Sequence, residues 1–421
     1  MSQSSFKIVS VSETVSYSAG MTGPSTNTQA ITAPLEAITG AQHVGLKGGA
    51  IAVAPGNTNE VAAVLRFAQE NHLTVVPYGG GTMQGWGYPV EPALLLEMHR
   101  LNMLREHTWQ DMTCTVEAGC TWSGLQSGLA QHGQYVALDP LWTERATVGG
   151  IVATNDSGAL RLRYGGLRDL IIGMTIVLAD GTVAHTGGKV VKNVAGYDLH
   201  KLMIGAFGTL GVITSVNFRL HSISRCTQTL TVSAPEAEPL GKLMLTLLHA
   251  QLSTVAIQLR GKATGFALDI QLASLAEVLH TQASAVEKTA QSEGLSVQGC
   301  ADEVWHARQE QWTQDLVCKA TMLPSDVARF AVRVRGMGGE SVTQATGIMI
   351  AGLPTAAVEH VAQLRRDLEA ASGSLTVLKP PAEMRLDCWG ALPDSFPLMR
   401  EVKRRFDPEG ILNPGRFLGK L

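Results

Sequence analysis

The chain has 421 residues, of which 45% are apolar and 16% charged, with a formal net charge of −3. That length exceeds one ordinary hydrophobic core and points to two domains, while the slightly acidic balance speaks against a nucleic-acid surface, which needs a basic excess. Six cysteines, at 114, 120, 226, 300, 318 and 388, form no Cys-x-x-Cys pair; iron–sulfur and zinc sites of the usual spacing are thereby disfavoured, and free thiols of a reducing cytoplasm are expected.

Taken in chain order, residues 1–35 are rich in Ser, Thr and Gln without a period, and they read as a flexible tail. No basic n-region followed by an apolar h-region opens the chain, so a secretory signal is not expected. The longest dense apolar run, 170–179, is too short for a membrane span and reads as a buried strand. From about 40 to 220, strands and helices alternate. Strands are expected over 50–54, 73–77, 94–98, 114–118 and 170–178. A helix is expected after Asn57, with Glu60 as its capping-box partner and Val61, Val64, Leu65 and Ala68 on one face. A second helix is expected over 122–132. Asp180-Gly181 marks a hairpin turn. From 222 onward, strands over 227–233, 255–260, 266–272 and 346–351 alternate with amphipathic helices over 240–252, 275–293 and 356–371. This is the pattern of an α+β layer, a mostly antiparallel sheet backed by helices. A last helix, 396–405, precedes a turn-rich end.

Three glycine-rich stretches carry the chemistry. Gly-x-Gly-x-x-Gly is absent, because Gln84 stands where Gly79 and Gly81 require glycine, and no P-loop pattern occurs. The 73–77 strand runs instead into the segment Pro77-Tyr78-Gly79-Gly80-Gly81-Thr82. Adjacent glycines there expose backbone N–H groups, a nest suited to a pyrophosphate, and Thr82 adds a hydroxyl. The second stretch, read as a loop, runs over 147–158. Thr147 opens it, Gly149 and Gly150 permit close approach, and Ala153, Thr154, Ser157 and Gly158 leave room for a flat ring that the Asn155 amide can meet. In the third, Gly211, Val212 and Ile213 begin a glycine-flanked strand that can hydrogen-bond a purine or flavin through its backbone.

The order of these stretches resembles the FAD-binding domain of vanillyl-alcohol-oxidase-like (PCMH-type) flavoproteins. It is completed by Glu117-Ala118-Gly119, Asp139-Pro140, Tyr164-Gly165, Ala179-Asp180-Gly181 and Gly196-Tyr197-Asp198-Leu199, and the resemblance runs from about 50 to 220. Residues 406–416, which contain Asn413, look like the closing segment of the same superfamily. Within it, residues 187–199 and Trp305 with Arg308 are similar to the E subunit of bacterial glycolate oxidase. The resemblance implies a two-lobed FAD domain over 36–221, an α+β cap over 222–378 and a C-terminal segment, 379–421, that returns to the FAD domain. It places Pro77 to Thr82, Pro140, Thr147, Gly149, Gly150, Ala153, Thr154, Asn155, Ser157, Gly158, Tyr164, Gly211 to Ile213 and Asn413 around FAD. It also implies oxidation of glycolate, a 2-hydroxy acid, to glyoxylate, with a second FAD subunit and an iron–sulfur subunit as partners. Such a protein would be cytoplasmic, without an integral membrane span, reaching a membrane only through partners.

The sequence departs from this family in two ways. Gly81 stands where many relatives carry a histidine that bonds FAD covalently, and no cysteine lies between Cys120 and Cys226 to supply a second linkage, so a dissociable flavin is expected; Tyr78 replaces an arginine, which weakens the expected pyrophosphate contact. The metal-associated His-x-x-Asp-Gly-Asn-x-His segment of related dehydrogenases is missing, and no metal is expected. His306 is left as the candidate base and Arg308 as the candidate carboxylate clamp. Lys189 and Lys192 are candidates for an anionic flavin edge or phosphate, Tyr197 and Asp198 for a turn, and Arg385 and Trp389 for the ring pocket. A stand-alone oxidoreductase of another hydroxy acid or alcohol, and a subunit that only carries flavin or relays electrons, are the alternatives.

Overall fold

In the computed structural model, residues 28–188, 198–382 and 384–421 are described. The first lobe holds a four-stranded sheet of β1 (Val44–Lys47), β2 (Ala50–Val53), β3 (Val75–Tyr78) and β4 (Leu94–Glu97), in the order β1-β2-β4-β3. β4 runs parallel to both β2 and β3. The crossover from β2 to β3 is the helix Thr58–Glu70, which starts where the capping box demands: Asn57 accepts from the Glu60 N–H at 3.0 Å and Glu60 from the Gly56 N–H at 2.6 Å. Its Val61, Val64, Leu65 and Ala68 are buried, as their spacing requires.

The supposed tail is shorter than expected. Residues 28–39 form a helix whose Ile31 and Leu35 are buried in the first-lobe core. Burying that stripe outweighs Pro34 inside the helix and the polar composition around it. The remainder of the tail, residues 1–27, lies outside the described residues.

The second lobe contains β5 (Leu104–Thr108), β6 (Thr113–Glu117), β7 (Gln134–Tyr135), β8 (Ile171–Val177), β9 (Val183–Gly187), β10 (Val212–Arg219) and β11 (His221–Ser222). Five of them form an antiparallel sheet, order β5-β6-β10-β8-β9, and β7 pairs with β11. Gly181, at φ +80, makes the β8–β9 turn that Asp180-Gly181 announces.

The cap is an antiparallel sheet of eight strands: β12 (Cys226–Ala234), β13 (Thr254–Lys262), β14 (Gly265–Ser274), β15 (Val297–Cys300), β16 (Leu316–Thr321), β17 (Glu340–Gln344), β18 (Ile348–Leu353) and β19 (Ser374–Lys379). Their order is β15-β12-β14-β13-β17-β18-β16-β19. Helices Ala237–His249, Ala276–Ser292, Val327–Gly336 and Val358–Ala370 contribute to the core on one face of the sheet, where Leu259, Leu268 and Ile270 are fully buried. From the opposite face Val317 and Ile350 join the second-lobe core, so the cap lies directly over the FAD domain. The C-terminal segment carries the helix Phe396–Phe406 and then returns to the first lobe, where Leu412 bridges Val75 beside β3.

Candidate functional site

The two lobes meet at a cleft. Its walls are the segment after β3, the short helix Val148–Thr154, the start of β10 and the chain end at Asn413 and Arg416.

The first glycine stretch supplies the donors. Among the described residues, no acceptor meets the peptide N–H of Gly79, Gly80, Gly81 or Thr82, and all four residues line the cleft. Four such donors in series require an anionic partner or water, and the pyrophosphate of a dinucleotide meets that need. The glycines are fixed by the protein around them. A Cβ on Gly80 would sit 1.8 Å from the Arg145 carbonyl oxygen, one on Gly79 would sit 2.1 Å from Thr147 Oγ1, and Gly81 has φ +70.

The second stretch is a helix where the sequence reading expects a loop. Thr147 is its N-cap, accepting from the Gly150 N–H at 3.4 Å, and the Gly149 N–H donates to the Ala118 carbonyl at 2.7 Å. Gly149 is glycine because a Cβ would lie 2.9 Å from that of Ala118. Its N–H groups are therefore spent inside the protein, and the helix offers the cleft a small-residue surface through Gly149, Gly150, Ala153 and Thr154.

The third wall is set from the C-terminus. Asn413, buried at φ +43, donates from Nδ2 to the Phe207 carbonyl at 2.8 Å, while its N–H donates to Val75 at 3.0 Å. That arrangement ties β3 to the turn before β10. Lys403 is buried and bonds the Thr209 carbonyl at 2.8 Å, the Leu412 carbonyl at 3.0 Å and the Asp407 carboxylate, and burial holds its pKa below the ordinary value. Arg416 lies along the segment after the first stretch, donating to the Gln84 carbonyl at 2.6 Å and to Gln84 Oε1 at 2.8 Å. Among the described residues it is the one ionised side chain lining the cleft, so an anionic dinucleotide meets no repelling carboxylate from them.

The structure thus brings Pro77 to Thr82, Thr147, Gly149, Gly150, Ala153, Thr154, Gly211 to Ile213 and Asn413 together around one cleft. Five expected members pack elsewhere. Pro140 is buried away from the lining; Asn155 ends the helix at φ +51; the Ser157 carbonyl accepts from Arg308 and Gln344; Gly158 is pressed on Asp139; and Tyr164 packs on His221 at 4.8 Å. Of the catalytic candidates, His306 is exposed, and Arg308 is buried, donating to Asp156 at 2.8 Å and to the carbonyls of Ser157 and Asp139 at 2.7 Å each, contacts that join cap and FAD domain. Arg385 is exposed, and Trp389 stands behind the cleft wall, edge-on to Phe207 at 5.0 Å. Lys189, Lys192 and Tyr197 lie outside the described residues, and Asp198 pairs with Lys201 at 2.7 Å. Gly208, which heads the third glycine stretch, lines the cleft as well; sequence reasoning missed Gln84, Phe207 and Arg416, and although Arg416 lies in a family-like segment, nothing in the sequence marked its role. Among the described residues no group of His, Cys, Asp and Glu could hold a metal ion, and no helix is long and apolar enough to cross a membrane.

Comparison with known proteins agrees with this geometry. Residues 49–187 match the family model described as "FAD binding domain", and residues 391–417 match "FAD linked oxidases, C-terminal domain". A D-lactate dehydrogenase of Archaeoglobus fulgidus is 27% identical over 88% of this chain and 92% of its own length. The glycolate oxidase subunit GlcD of Bacillus subtilis is 36% identical, but over 40% of this chain and 36% of its own length. A D-2-hydroxyglutarate dehydrogenase of Bos taurus is 39% identical over 39% of this chain, so the chain spans about a third of these last two relatives. The structure of p-cresol methylhydroxylase with substrate bound superposes with a TM-score of 0.71, at 15% identity, over 92% of this chain and 96% of that one. The fold is therefore the PCMH-type FAD-binding fold with an α+β cap. FAD is the cofactor, and the chain is an FAD-dependent oxidoreductase. Among the described residues no histidine or cysteine lines the cleft.

Proposed function

We propose that this protein oxidises the CH–OH carbon of a small 2-hydroxy acid to the corresponding 2-oxo acid. The observation that carries the reading is the cleft with four free N–H donors, set in a chain that aligns along 88% of its length with a D-lactate dehydrogenase. The residues present fit FAD. The N–H groups of 79–82 would hold the pyrophosphate, and the small surface of Gly149, Gly150 and Ala153, facing the apolar Met203 and Phe207, would receive a flat ring. FAD, when bound, supplies a hydride acceptor, and the hydroxyl proton leaves separately. The chain's own part is to fix the flavin, orient the acid and exclude water.

The narrower reading is a subunit of a glycolate oxidase assembly, beside a second FAD subunit and an iron–sulfur subunit. It is supported by the similarity of residues 187–199 and of Trp305 with Arg308 to the E subunit, and by the partial match to a glycolate oxidase subunit. The missing metal-histidine segment favours such an assembly, because that chemistry would then come from the partner. The test is anaerobic mixing of the FAD-loaded protein with glycolate, D-lactate and D-2-hydroxyglutarate. Bleaching of the yellow flavin band by at least one acid is expected, and simple alcohols should leave it intact. A stable, FAD-loaded protein that no hydroxy acid bleaches, alone or with co-purifying subunits, would overturn the oxidase reading.

A further inference from the structure

The cap reaches the walls of the cleft through a tryptophan as well as through the Arg308 contacts. Trp312 lies in the short cap turn Gln311–Thr313. That turn is tied to the cap sheet on two sides. Gln311 Oε1 accepts from the Gly352 N–H at 3.2 Å, and Lys379 Nζ donates to the carbonyls of Trp312 at 3.1 Å and Gln314 at 3.0 Å. The indole packs on the second-lobe core rather than on the cap's own. There it meets one ring on each flank of the first glycine stretch. Trp86, four residues after Thr82 in the same segment, stacks on it with ring centroids 5.9 Å apart and planes at 19°. Trp142 stands edge-on to it at 4.9 Å and 79°. Both arrangements are favourable for aromatic pairs.

Each partner of Trp312 is fixed to residues that shape the nest. The Trp86 N–H donates to the Met83 carbonyl at 3.2 Å, and Met83 lines the cleft. The Trp86 ring is buried, and among the described residues its Nε1 has no acceptor, so packing rather than hydrogen bonding sets its orientation. Trp142 opens the turn behind the nest. Its carbonyl accepts from the N–H groups of Arg145 at 2.9 Å and Ala146 at 2.7 Å. The Arg145 carbonyl is the group that leaves no room for a Cβ on Gly80. Trp142 holds this turn at φ +50, a conformation disfavoured for a bulky residue. Such a conformation persists only where its surroundings impose it, and the ring contact with Trp312 is one of those constraints.

We infer that Trp312 is a positioning residue for FAD: through its contacts with Trp86 and Trp142, the cap sets the placement of the free N–H groups of residues 79–82. Donors that already converge bind an anion without the cost of ordering them first. The route Trp312–Trp142–Arg145–Gly80 is contiguous, each link a packing contact or a hydrogen bond. FAD affinity therefore depends on a cap residue that does not itself line the cleft. The inference rests on the placement of the pyrophosphate at 79–82 and is independent of which acid is oxidised.

The experiment titrates FAD into the apo form of the full chain and reads affinity by calorimetry. Trp312→Leu is expected to weaken FAD at least tenfold, and Trp312→Phe, which keeps a ring, no more than threefold. Trp142→Gly removes the other ring and accepts φ +50 without strain, and it should weaken FAD by a factor similar to that of Trp312→Leu. Because the two act through one contact, the double variant should be no more than threefold weaker than the worse single variant, whereas independent effects multiply. Losses that multiply, or an affinity within threefold of wild type in both single variants, overturn the inference and leave the pyrophosphate placement intact. Where Trp312→Leu does not fold, Trp142→Gly decides: a tenfold loss supports the coupling, and an affinity within threefold of wild type overturns it. A wild type that binds no FAD removes the pyrophosphate placement and the coupling with it.

Discussion

The stretches 79–82 and 147–154 are both glycine-rich and both line the cleft, yet they use glycine in opposite ways. In the first, the glycines let the chain pass against Arg145 and Thr147 while four N–H groups stay free. In the second, Gly149 presses its Cα on Ala118 and gives its N–H to the Ala118 carbonyl, while Gly150 gives its own to Thr147. A glycine signals close approach, and only the fate of its N–H says whether a ligand or the protein itself is approached.

Substitutions can break that contrast, and the largest effect belongs to the first stretch. Gly80→Val places a side chain against the Arg145 backbone, which cannot yield, so the segment must move. The expected loss is at least about 100-fold in FAD affinity by titration, with about 1–3 kcal/mol of apo stability by urea unfolding. If FAD affinity survives, the first stretch does not hold the cofactor.

A carboxyl that accepts from the turn after the second stretch titrates. Burial raises the Asp139 carboxyl from 3.8 to about 6, with Arg308 and the Leu160 N–H opposing the rise. The folded state then binds this proton more readily than the unfolded chain, so the contribution is full below pH 3.8 and lost as pH rises through about 6. Asp139→Asn should remove that loss. Its stability relative to wild type should grow by about 1–3 kcal/mol between pH 4 and 7, on the scale of about 1.4 kcal/mol per pKa unit, and parallel stability curves would contradict the burial of this carboxyl.

Gly81→Ala forces a side chain to φ +70, which costs about 1–2 kcal/mol and should weaken FAD roughly tenfold by distorting the free donors. Thr147→Ala removes an N-cap, for about 1 kcal/mol of stability and a few-fold loss of FAD. Gly149→Ala should be mildest for the cofactor. Its Cβ would lie 2.9 Å from that of Ala118 and 3.1 Å from the Ala118 carbonyl oxygen, so helix and strand end must separate, costing about 1–3 kcal/mol, with FAD affinity within threefold. A loss of FAD greater than that of Gly81→Ala would reverse the comparison.

Much of the fold was legible in the sequence. The capping box at Asn57 and Glu60, the Asp180-Gly181 hairpin and the alternation of the FAD domain were read from local patterns, because local hydrogen bonds and one buried face decide those elements. The cap was read less fully. β16 carries Lys319 amid an apolar run, and β17 reads Glu-Ser-Val-Thr-Gln, although Gln344 is buried and bonds the Ser157 carbonyl. Polar residues buried by contact with another domain break the period-2 signal, and no local rule recovers them. The same holds for the site. Glycines reveal themselves in sequence, whereas Arg416 and Gln84 acquire meaning from each other, far apart along the chain. The contacts of Arg308 are hidden for the same reason: its partners, Asp156 and Ser157, are about 150 residues away.

The central claim, that the free peptide nitrogens of residues 79–82 hold the pyrophosphate of FAD, is tested most directly by amide hydrogen exchange with and without FAD. Peptides covering 79–82 should exchange freely in the apo protein and become strongly protected on adding FAD, while the N–H groups of 149 and 150, already bonded within the protein, should change little. Protection that appears at 149–150 and leaves 79–82 unaffected would contradict the account.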